Sequence, residues 1–330
     1  MLIEITESSQ TGEARRKAVA LAESIEMDET RRGQVALAAT EIATNLLKHA
    51  GRGHILVQRL CRNGNSGLRI TGVDKGPGIA DVPSALRDGH STTATLGTGL
   101  GAIRRLSNTF DLYTVPGGGT VVDAEFWKTN QRRAVASASV EIACVSEPLK
   151  GEDVNGDGWA TRVSREAILL MLVDGLGHGA LAAEAAREAE RILVHSKSAS
   201  PEEIIQDTHL SLKKTRGAVG AVAKLDVDKG VLSFAGVGNI SASVVEPGSS
   251  RSLASHNGTL GQQMERVQQF QCPWNRESVL VMHSDGLATR WNLERYPGIW
   301  RRPPSVIAAV LHRDFCRGRD DVTVLVAKAA

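Results

Sequence analysis

Residues 168–179 read ILLMLVDGLGHG, an apolar run that ends in an aspartate followed by alternating glycines. The run Ile168–Val173 has the length and composition of a buried strand, and Asp174 stands where that strand ends. An aspartate followed by glycine is most often a plain turn. This stretch therefore predicts a core strand but leaves the role of its carboxylate open.

The same arrangement recurs elsewhere in the C-terminal half of the chain. Asp157 lies in the sequence NGDGW, Asp285 follows a predicted strand that ends at His283, and Asp320 precedes a predicted last strand. We expect these carboxylates to converge with Asp174 at one end of a sheet. Converging carboxylates repel one another unless cations lie between them. The pattern therefore predicts two Mg²⁺ or Mn²⁺ ions about 3.5–4 Å apart that activate water.

A different polar pattern marks the N-terminal half. Glu41, Asn45 and His49 recur at the spacing of one helix face within a predicted helix over residues 29–50. A carboxylate, an amide and an imidazole are costly to bury without partners. The stripe by itself fits either a solvated helix face or a binding site.

Two glycine-rich segments downstream favour the binding site. The sequence DKGPG begins at Asp74 after a predicted strand, and GTGLG begins at Gly97 and opens a predicted helix. A carboxylate at a strand end can accept a hydrogen bond from an exocyclic amine, while neighbouring glycines let the backbone approach a flat base. Glycines at a helix N-terminus present backbone N–H groups to phosphate.

In this order the segments resemble the N, G1 and G2 boxes of the GHKL ATPase superfamily, and residues 30–119 resemble its small anti-sigma-factor serine kinases. The resemblance implies a Bergerat α/β sandwich that binds ATP and Mg²⁺. It implies that Asn45 ligates Mg²⁺, that Glu41 is the general base on the attacking serine, and that Asp74 holds the adenine amine. The implied glycine contacts are Gly76 and Gly78 at the base and Gly97, Gly99 and Gly101 at the phosphates. His49 matches the motif, but we give it no catalytic role.

Residues 139–327 resemble the PPM-type metal-dependent protein phosphatases, specifically the SpoIIE branch. The resemblance implies an α-β-β-α sandwich in which Asp174 bridges two Mn²⁺ or Mg²⁺ ions and the Gly175 carbonyl ligates one. The implied remaining ligands are Asp157, Asp285 and Asp320, with Asp321 ranked second to Asp320. His178 is either a general acid or a structural loop residue, and we favour the structural role.

The expected fold class is α+β, with a GHKL domain over residues 1–127, a polar linker over 128–136 and a phosphatase domain over 137–330. No arginine near the start of the second domain matches the phosphate clamp of larger relatives, which leaves Arg162 and Arg165 as candidates. Residues 246–266 match no pattern, and we predict a loop over the sheet.

Net charge, cysteine content and hydropathy restrict the class of partner and the cellular compartment that we expect. A formal net charge of +2 is too small to indicate nucleic acid or an acidic membrane as the main partner. The four cysteines form no CxxC pair, which is typical of free thiols in a reducing compartment. Neither a signal peptide nor an apolar segment of membrane-spanning length is visible, so we expect a cytoplasmic protein. A homodimer remains open.

Both resemblances lead to one hypothesis: a bifunctional enzyme that phosphorylates and dephosphorylates a serine or threonine of STAS-domain proteins, and so controls a sigma factor or another switch protein. In a first alternative, ATP binding to a non-catalytic N-terminal sensor regulates the phosphatase. In a second, the N-terminal domain is a binding module that sequesters a partner. A GHKL protein acting on nucleic acid is disfavoured because the chain lacks a transducer domain and a basic surface.

Overall fold

The computed structural model describes residues 1–62, 64–87, 99–129, 140–164, 167–265 and 267–329, with only the backbone of Arg62. These residues divide into two compact units. Unit 1 comprises Met1–Ala136 and Arg295–Arg313, and unit 2 comprises Ser137–Glu294 and Asp314–Ala330. The sequence pattern places residues 295–313 in the second domain, whereas their contacts place them in unit 1. Residues 130–136 of the predicted linker lie outside the described residues.

Unit 1 contains one antiparallel sheet whose apolar face is covered by helices from the N-terminal part of the chain. In sheet order its strands are β1 (Leu2–Ile5), β2 (Gly53–Arg62), β3 (Asn65–Val73), β5 (Thr120–Trp127) and β4 (Thr109–Thr114). The helices are α1 (Ser8–Ser24), α2 (Glu29–Asn45), α3 (Val82–Ala85) and α4 (Gly99–Leu106). The aliphatic faces of α1 and α2 meet the sheet in a core that includes Ile42, Ile70 and Phe126. Because aliphatic side chains dominate this core, α2 packs close to the strands.

The second helix begins and ends at defined features. The carboxylate of Asp28 caps its first turn by accepting a hydrogen bond from Arg31 N at 2.7 Å. The predicted single helix over residues 29–50 instead changes at Asn45 into a π-helical turn, Leu46–Ala50. Such turns widen the helix locally and often occur at functional sites. The π turn therefore interrupts the regular spacing between Asn45 and His49.

Unit 2 is built on two antiparallel sheets of five strands each. The first sheet runs in the order β13 (Phe270–Pro273), β10 (Val231–Val237), β9 (Ala218–Asp226), β8 (Ile168–Gly175) and β7 (Asp157–Val163). The second runs in the order β12 (Ser249–Leu253), β11 (Ser241–Glu246), β14 (Val279–His283), β15 (Val322–Ala329) and β6 (Val140–Glu147). Two helices, α5 (Ala180–His195) and α6 (Pro201–Ser211), pack on the first sheet. The predicted α+β class is confirmed.

The two sheets enclose the main core of unit 2. Leu170, Leu172 and Phe234 from the first sheet pack with Leu280 and Leu325 from the second. The strand predicted from residues 168–173 is therefore a central one, buried on both faces, which explains its unbroken apolar sequence. Its continuation as Asp174 and Gly175 brings a carboxylate to the rim of the sandwich.

The insert at residues 246–266 is not the simple loop that we predicted. Ser249–Leu253 forms edge strand β12, and Leu260 is buried and pairs with Ala218 next to the end of β9. Edge pairing satisfies the backbone groups that a free loop would leave to water. The prediction was wrong because β12 is polar and exposed, so its sequence lacks the alternation of a half-buried strand.

The segment of unit 1 that comes late in the chain includes most of helix α7 (Pro304–Phe315). Ser305 Oγ donates a hydrogen bond to Asp123 Oδ2 at 2.8 Å on β5, and Arg302 forms an ion pair with Asp111 on β4 at 3.2 Å. Arg69 on β3 completes this polar face, with Nε at 3.5 Å from Asp123 Oδ2. These polar contacts hold residues 295–313 on the strands of unit 1.

Candidate functional sites

A cavity of about 590 Å³ in unit 1 brings together the N-terminal residues that the sequence singled out. Glu41, Asn45 and His49 line one side of this cavity, and Asp74 and Gly78 line the other. Its size suits a small-molecule ligand. The cavity therefore joins the helix stripe to the glycine-rich segment, which lie apart in the sequence.

Asp74 is held rigidly at the end of β3. Its Oδ1 accepts hydrogen bonds from the backbone N–H groups of Gly76, at 2.7 Å, and Thr120, at 3.2 Å. Burial raises the pKa of this carboxyl, and the two backbone hydrogen bonds oppose that effect. One oxygen thus fixes the orientation of the group, and the carboxyl as a whole lines the cavity, where it can accept a hydrogen bond from an amine.

The glycines near Asp74 permit close backbone packing. A Cβ atom on Gly119, where φ is +77°, would lie 2.1 Å from the Asp74 carbonyl oxygen. A Cβ on Gly78, with φ of +73°, would lie 2.3 Å from the Val115 carbonyl oxygen. Both positions require glycine for conformation and for space. Gly78 itself lines the cavity, where the absence of a side chain leaves its backbone accessible to a ligand.

The phosphate end of the predicted site is described only in part. Gly99 lines the cavity at the start of α4, whereas Gly101 lies two residues further along the helix and is buried. Residues 88–98, which include Gly97, lie outside the described residues. The Asp74 carboxylate, Gly78 and the beginning of α4 meet at this cavity, and such a set of residues fits a nucleotide.

The carboxylate cluster in unit 2 also forms as its sequence pattern predicts. Asp157 is the first residue of β7 and pairs directly with Asp174 on β8. Asp174, Asp285 and Asp320 line a depression of about 430 Å³ at this end of the sandwich. Asp157 lies in the sheet rather than in the predicted turn, which places it beneath the other carboxylates.

Burial and mutual repulsion raise the pKa values of the carboxyl groups in this cluster. Burial raises the pKa of Asp174, and the carboxylates of Asp157, Asp285, Asp320 and Asp321 raise it further. Burial also raises the pKa of Asp157, although its Oδ2 accepts a hydrogen bond from Ser284 Oγ at 2.6 Å. Asp157 Oδ1 is buried without a hydrogen-bond partner among the described residues. A divalent cation would neutralise these charges and satisfy that oxygen, so the residues fit a metal centre.

Comparison with known proteins identifies both halves. The family model of Stage II sporulation protein E (SpoIIE) matches residues 164–330, and that of the histidine kinase-like ATPase domain matches residues 6–126. The chain belongs to the SpoIIE family. Both resemblances found in the sequence are thereby confirmed.

Individual relatives of this SpoIIE-family chain agree with that division. Over 114 residues it is 34% identical to the serine/threonine-protein kinase RsbT of Bacillus subtilis (strain 168), spanning 34% of this chain and 86% of RsbT. Over 139 residues it is 24% identical to the phosphoserine phosphatase RsbX of the same organism, spanning 42% of this chain and 70% of RsbX. The predicted class of enzyme, a serine/threonine phosphatase joined to a kinase-type domain, is confirmed.

Solved structures show the phosphatase fold. One similar structure is described as the bacterial stressosome, a modular system adapted to control secondary messenger signalling. It is 26% identical with a TM-score of 0.54, and the match covers 57% of this chain and 99% of that one. RsbX in complex with magnesium is 19% identical with a TM-score of 0.52, covering 59% of this chain and 97% of RsbX. Among the described residues, no helix is long and apolar enough to cross a membrane.

Other predicted residues of the SpoIIE site have structural partners. Asp321 is buried, and its two oxygens accept hydrogen bonds from Leu149 N at 2.7 Å and Gly156 N at 2.9 Å. Both oxygens of Asp321 thus bind backbone N–H groups, and its ranking behind Asp320 stays a prediction. His178 is exposed, and its Nδ1 lies 2.6 Å from Glu152 Oε1. This contact suits the structural role that we favour for His178.

Arg162, one of the two candidate phosphate-binding arginines, is bound to backbone carbonyl groups away from the cluster. The guanidinium of Arg162 donates to the backbone carbonyls of Leu193, Ser196 and Ser198, so it caps the C-terminal end of α5. This candidate was wrong, because its fork of donors is already used. Arg165 lies outside the described residues.

The structure adds residues that the sequence analysis missed. Asn239 Nδ2 donates to Asp285 Oδ2 at 2.9 Å, and Ser284 orients Asp157. Thr120 positions Asp74 in the cavity of unit 1. Of these residues only Ser284 carried a local signal, since it directly precedes Asp285. Asn239 and Thr120 come from distant segments of the chain and become visible only after folding.

Proposed function

We propose that this protein is a bifunctional switch enzyme. Residues 1–127 form the ATP-dependent serine kinase and residues 137–330 the metal-dependent phosphatase, both acting on STAS-domain partners of a sigma-factor or similar regulator. Its relative RsbT is a serine/threonine-protein kinase and its relative RsbX is a phosphoserine phosphatase, which supports opposed reactions in one chain. We place the protein in the cytoplasm, where ATP is available and its four free cysteines stay reduced.

The kinase half of the proposal depends on one observation: Glu41 lines the same cavity as Asn45 and Asp74. A domain that only binds nucleotide needs Asn45 for Mg²⁺ and Asp74 for the base, but it has no need for a carboxylate base. In the proposed reaction Glu41 accepts the proton of the attacking serine hydroxyl. Positioning and charge neutralisation supply most of the remaining catalysis in phosphoryl transfer.

The phosphatase half depends on the converging carboxylates. Asp157, Asp174, Asp285 and Asp320 would hold two Mn²⁺ or Mg²⁺ ions, together with the carbonyl group of Gly175. When bound, the ions supply Lewis acidity and an activated water. The chain itself positions Asp157 through Ser284 and Asp285 through Asn239, so the ligands are oriented before an ion arrives.

The test combines two variants with a STAS-domain protein. Asp174→Asn silences the phosphatase, so incubation with Mg-ATP should add one phosphate to the STAS protein, as read from its intact mass. Wild-type protein with Mn²⁺ should then remove that phosphate. In the double variant that also carries Glu41→Gln, ATP should still bind but phosphorylation should fall by about 10²–10⁴-fold.

Each outcome separates the hypotheses. If the single variant adds no phosphate while the wild type dephosphorylates a phosphorylated partner, the kinase half is wrong and the phosphatase half stands. If phosphorylation survives in the Glu41→Gln variant, Glu41 is not the base. If the first domain binds the partner without ATP and without modifying it, the binding-module alternative is correct.

A second candidate function is a phosphatase regulated by nucleotide, and one contact favours it. Arg313, in the last turn of α7, donates from Nη1 to the Asp74 carbonyl oxygen at 3.2 Å, and its charge lowers the pKa of the Asp74 carboxyl. Immediately after α7 the chain leads into the loop that carries Asp320. Occupancy of the Asp74 pocket can therefore be sensed by a helix that continues towards a predicted metal ligand.

This candidate is tested by the effect of ATP on phosphatase rate. We expect Arg313→Met to abolish the difference between rates measured with and without ATP. Arg302→Met is the matched control, because Arg302 contacts Asp111 on β4 instead of Asp74. Equal ATP responses in wild type and the Arg313→Met variant would remove this candidate.

A further inference from the structure

Beside the carboxylate cluster lies an arginine that the sequence analysis did not consider. Arg216 lies in the short loop between the 3₁₀ turn Leu212–Lys214 and strand β9. The next residue, Gly217, accepts a hydrogen bond at its carbonyl oxygen from Leu176 N at 3.0 Å. The Arg216 loop therefore runs alongside the Asp174–Gly179 loop.

The side chain of Arg216 extends over that neighbouring loop. A Cβ atom built on Gly177 would lie 3.2 Å from Arg216 Nη1, so the guanidinium is in close range of Gly177. Gly177 lines the same depression as Asp174, Asp285 and Asp320. The positive charge thus lies at the rim of the metal site, next to a glycine that leaves space for it.

The backbone of this loop is fixed while the guanidinium is not engaged. The Arg216 carbonyl oxygen accepts a hydrogen bond from Gln262 Nε2 at 2.6 Å, and Thr215 Oγ1 accepts one from Gly217 N at 3.0 Å. The side chain is exposed, and no hydrogen bond or ion pair holds its guanidinium within the described part of the chain. An anchored backbone with a free planar cation suits recognition of an anion that arrives from solvent.

We propose that Arg216 binds the phosphoryl group of the phosphoserine or phosphothreonine substrate by donating two hydrogen bonds to its non-bridging oxygens. The proposal rests on the phosphatase half of the proposed function. In hydrolysis, a water oxygen forms a bond to phosphorus, the bond from phosphorus to the seryl oxygen breaks, and one water proton ends on the seryl oxygen. Arg216 exchanges no proton in this reaction. It holds the phosphoryl group over the carboxylate cluster and offsets its negative charge.

This assignment accounts for the position of the Arg216 guanidinium. The donors of Arg162 are used by carbonyl groups at the end of α5, whereas Arg216 Nη1 lies next to Gly177 in the Asp174–Gly179 loop. Both residues are arginines of unit 2, and of these two the guanidinium near the depression is that of Arg216. The loop that carries it is anchored through Gln262, a residue of the 246–266 insert. The insert therefore contributes to substrate binding by positioning Arg216.

The test measures steady-state hydrolysis of p-nitrophenyl phosphate with Mn²⁺, using wild type, Arg216→Ala and Arg216→Lys. A charge-assisted hydrogen bond contributes about 1.5–3 kcal/mol, so Arg216→Ala should raise KM by roughly 10–100-fold. The inhibition constant of inorganic phosphate should rise in parallel. Arg216→Lys should recover part of the loss, because it keeps the charge but not the planar fork. Arg276→Ala, at an exposed turn, is the matched control.

Mn²⁺ affinity, measured by titration calorimetry, distinguishes substrate binding from a structural role. We expect Arg216→Ala to bind Mn²⁺ as the wild type does. The proposal would be overturned if both KM and the inhibition constant of inorganic phosphate were unchanged. It would also be overturned if Arg216→Ala lost Mn²⁺ affinity by as large a factor as it lost kcat/KM. Absence of turnover in the wild type would contradict the proposed function itself. Weaker binding of inorganic phosphate to Mn²⁺-loaded Arg216→Ala would then still support this assignment, and equal binding would refute it.

Discussion

Replacing Asp174 by asparagine should change the stability of the protein in opposite directions with and without metal. The half-buried carboxyl of Asp174 lies among other carboxylates, and burial followed by their charges raises its pKa above the ordinary value of 3.8. Because the pKa is raised, the contribution of this carboxyl to stability is fully present below that ordinary value. It is lost as the pH rises from there through the folded pKa. At neutral pH the Asp174 carboxyl therefore destabilises the metal-free protein.

The size of the effect follows from the burial of the group. Leaving one charge uncompensated costs several kcal/mol at a fully buried site, and Asp174 keeps some exposure. We therefore expect Asp174→Asn to stabilise the metal-free protein by about 1–2 kcal/mol, which raises the midpoint of thermal unfolding by roughly 2–8 °C. With Mn²⁺ at 100 times its Kd, the wild type gains about 2.7 kcal/mol and the variant gains far less.

The assay is thermal unfolding, followed by circular dichroism, in EDTA and again in saturating Mn²⁺. In EDTA the Asp174→Asn variant should unfold above the wild type, and in Mn²⁺ the order should reverse. Asp228→Asn is the control, because Asp228 is an exposed acidic residue in the turn between β9 and β10. It should leave both midpoints close to those of the wild type.

Two results would refute this reasoning. A lower midpoint for Asp174→Asn in EDTA would mean that the carboxylate makes stabilising contacts in the metal-free protein. Equal stabilisation of both proteins by Mn²⁺ would mean that Asp174 is not a ligand. Either result would remove the argument that the carboxylate cluster of Asp157, Asp174, Asp285 and Asp320 is built for cations.

Two further predictions concern the rest of the chain. Gly119→Ala should abolish ATP binding, measured by equilibrium titration, because the new Cβ would lie 2.1 Å from the Asp74 carbonyl oxygen. Gly117→Ala is the control, because Gly117 has a similar positive φ but open surroundings. It should lower the unfolding free energy by only about 1–2 kcal/mol and still bind ATP. Equal ATP affinity in the two variants would contradict the steric argument. Glu188→Gln should lower the unfolding free energy in urea at pH 7 by about 0.2–1 kcal/mol, since hydrogen bonds from Arg191 and Ser211 lower the pKa of this partly exposed carboxyl to about 2. That difference should be full above pH 4.5 and shrink as the pH falls towards 2, and a difference that grows on acidification would be inconsistent with it.

Parts of both sites were predictable because local patterns encode them. The apolar run before Asp174 can only be a buried strand, so the position of this carboxylate at the strand end follows from the sequence. The spacing of Glu41 and Asn45 follows from helix geometry, and both residues line one cavity. Glycine before a predicted helix indicated the phosphate end of the pocket, where Gly99 lies.

Other parts depended on long-range pairing that no local pattern records. Asp157 looked like a turn residue, but its pairing with Asp174 makes it the first residue of β7. Arg162 looked available for phosphate, yet the end of α5 supplies three carbonyl groups that its guanidinium binds. Strand β12 is polar on both faces because it lies at an exposed edge, where side chains do not need to alternate.

The sequence by itself determined the order of the two domains, the strand ends that carry the carboxylates and the glycines of the nucleotide pocket. Each of these depends on residues that are neighbours in the chain or one helical turn apart. Only the tertiary structure decided that residues 295–313 group with unit 1, and that Arg216 lies beside Gly177. Those contacts join segments far apart in the chain, and their polar or charged residues show no periodicity. Their partners are therefore selected by the packing of whole elements.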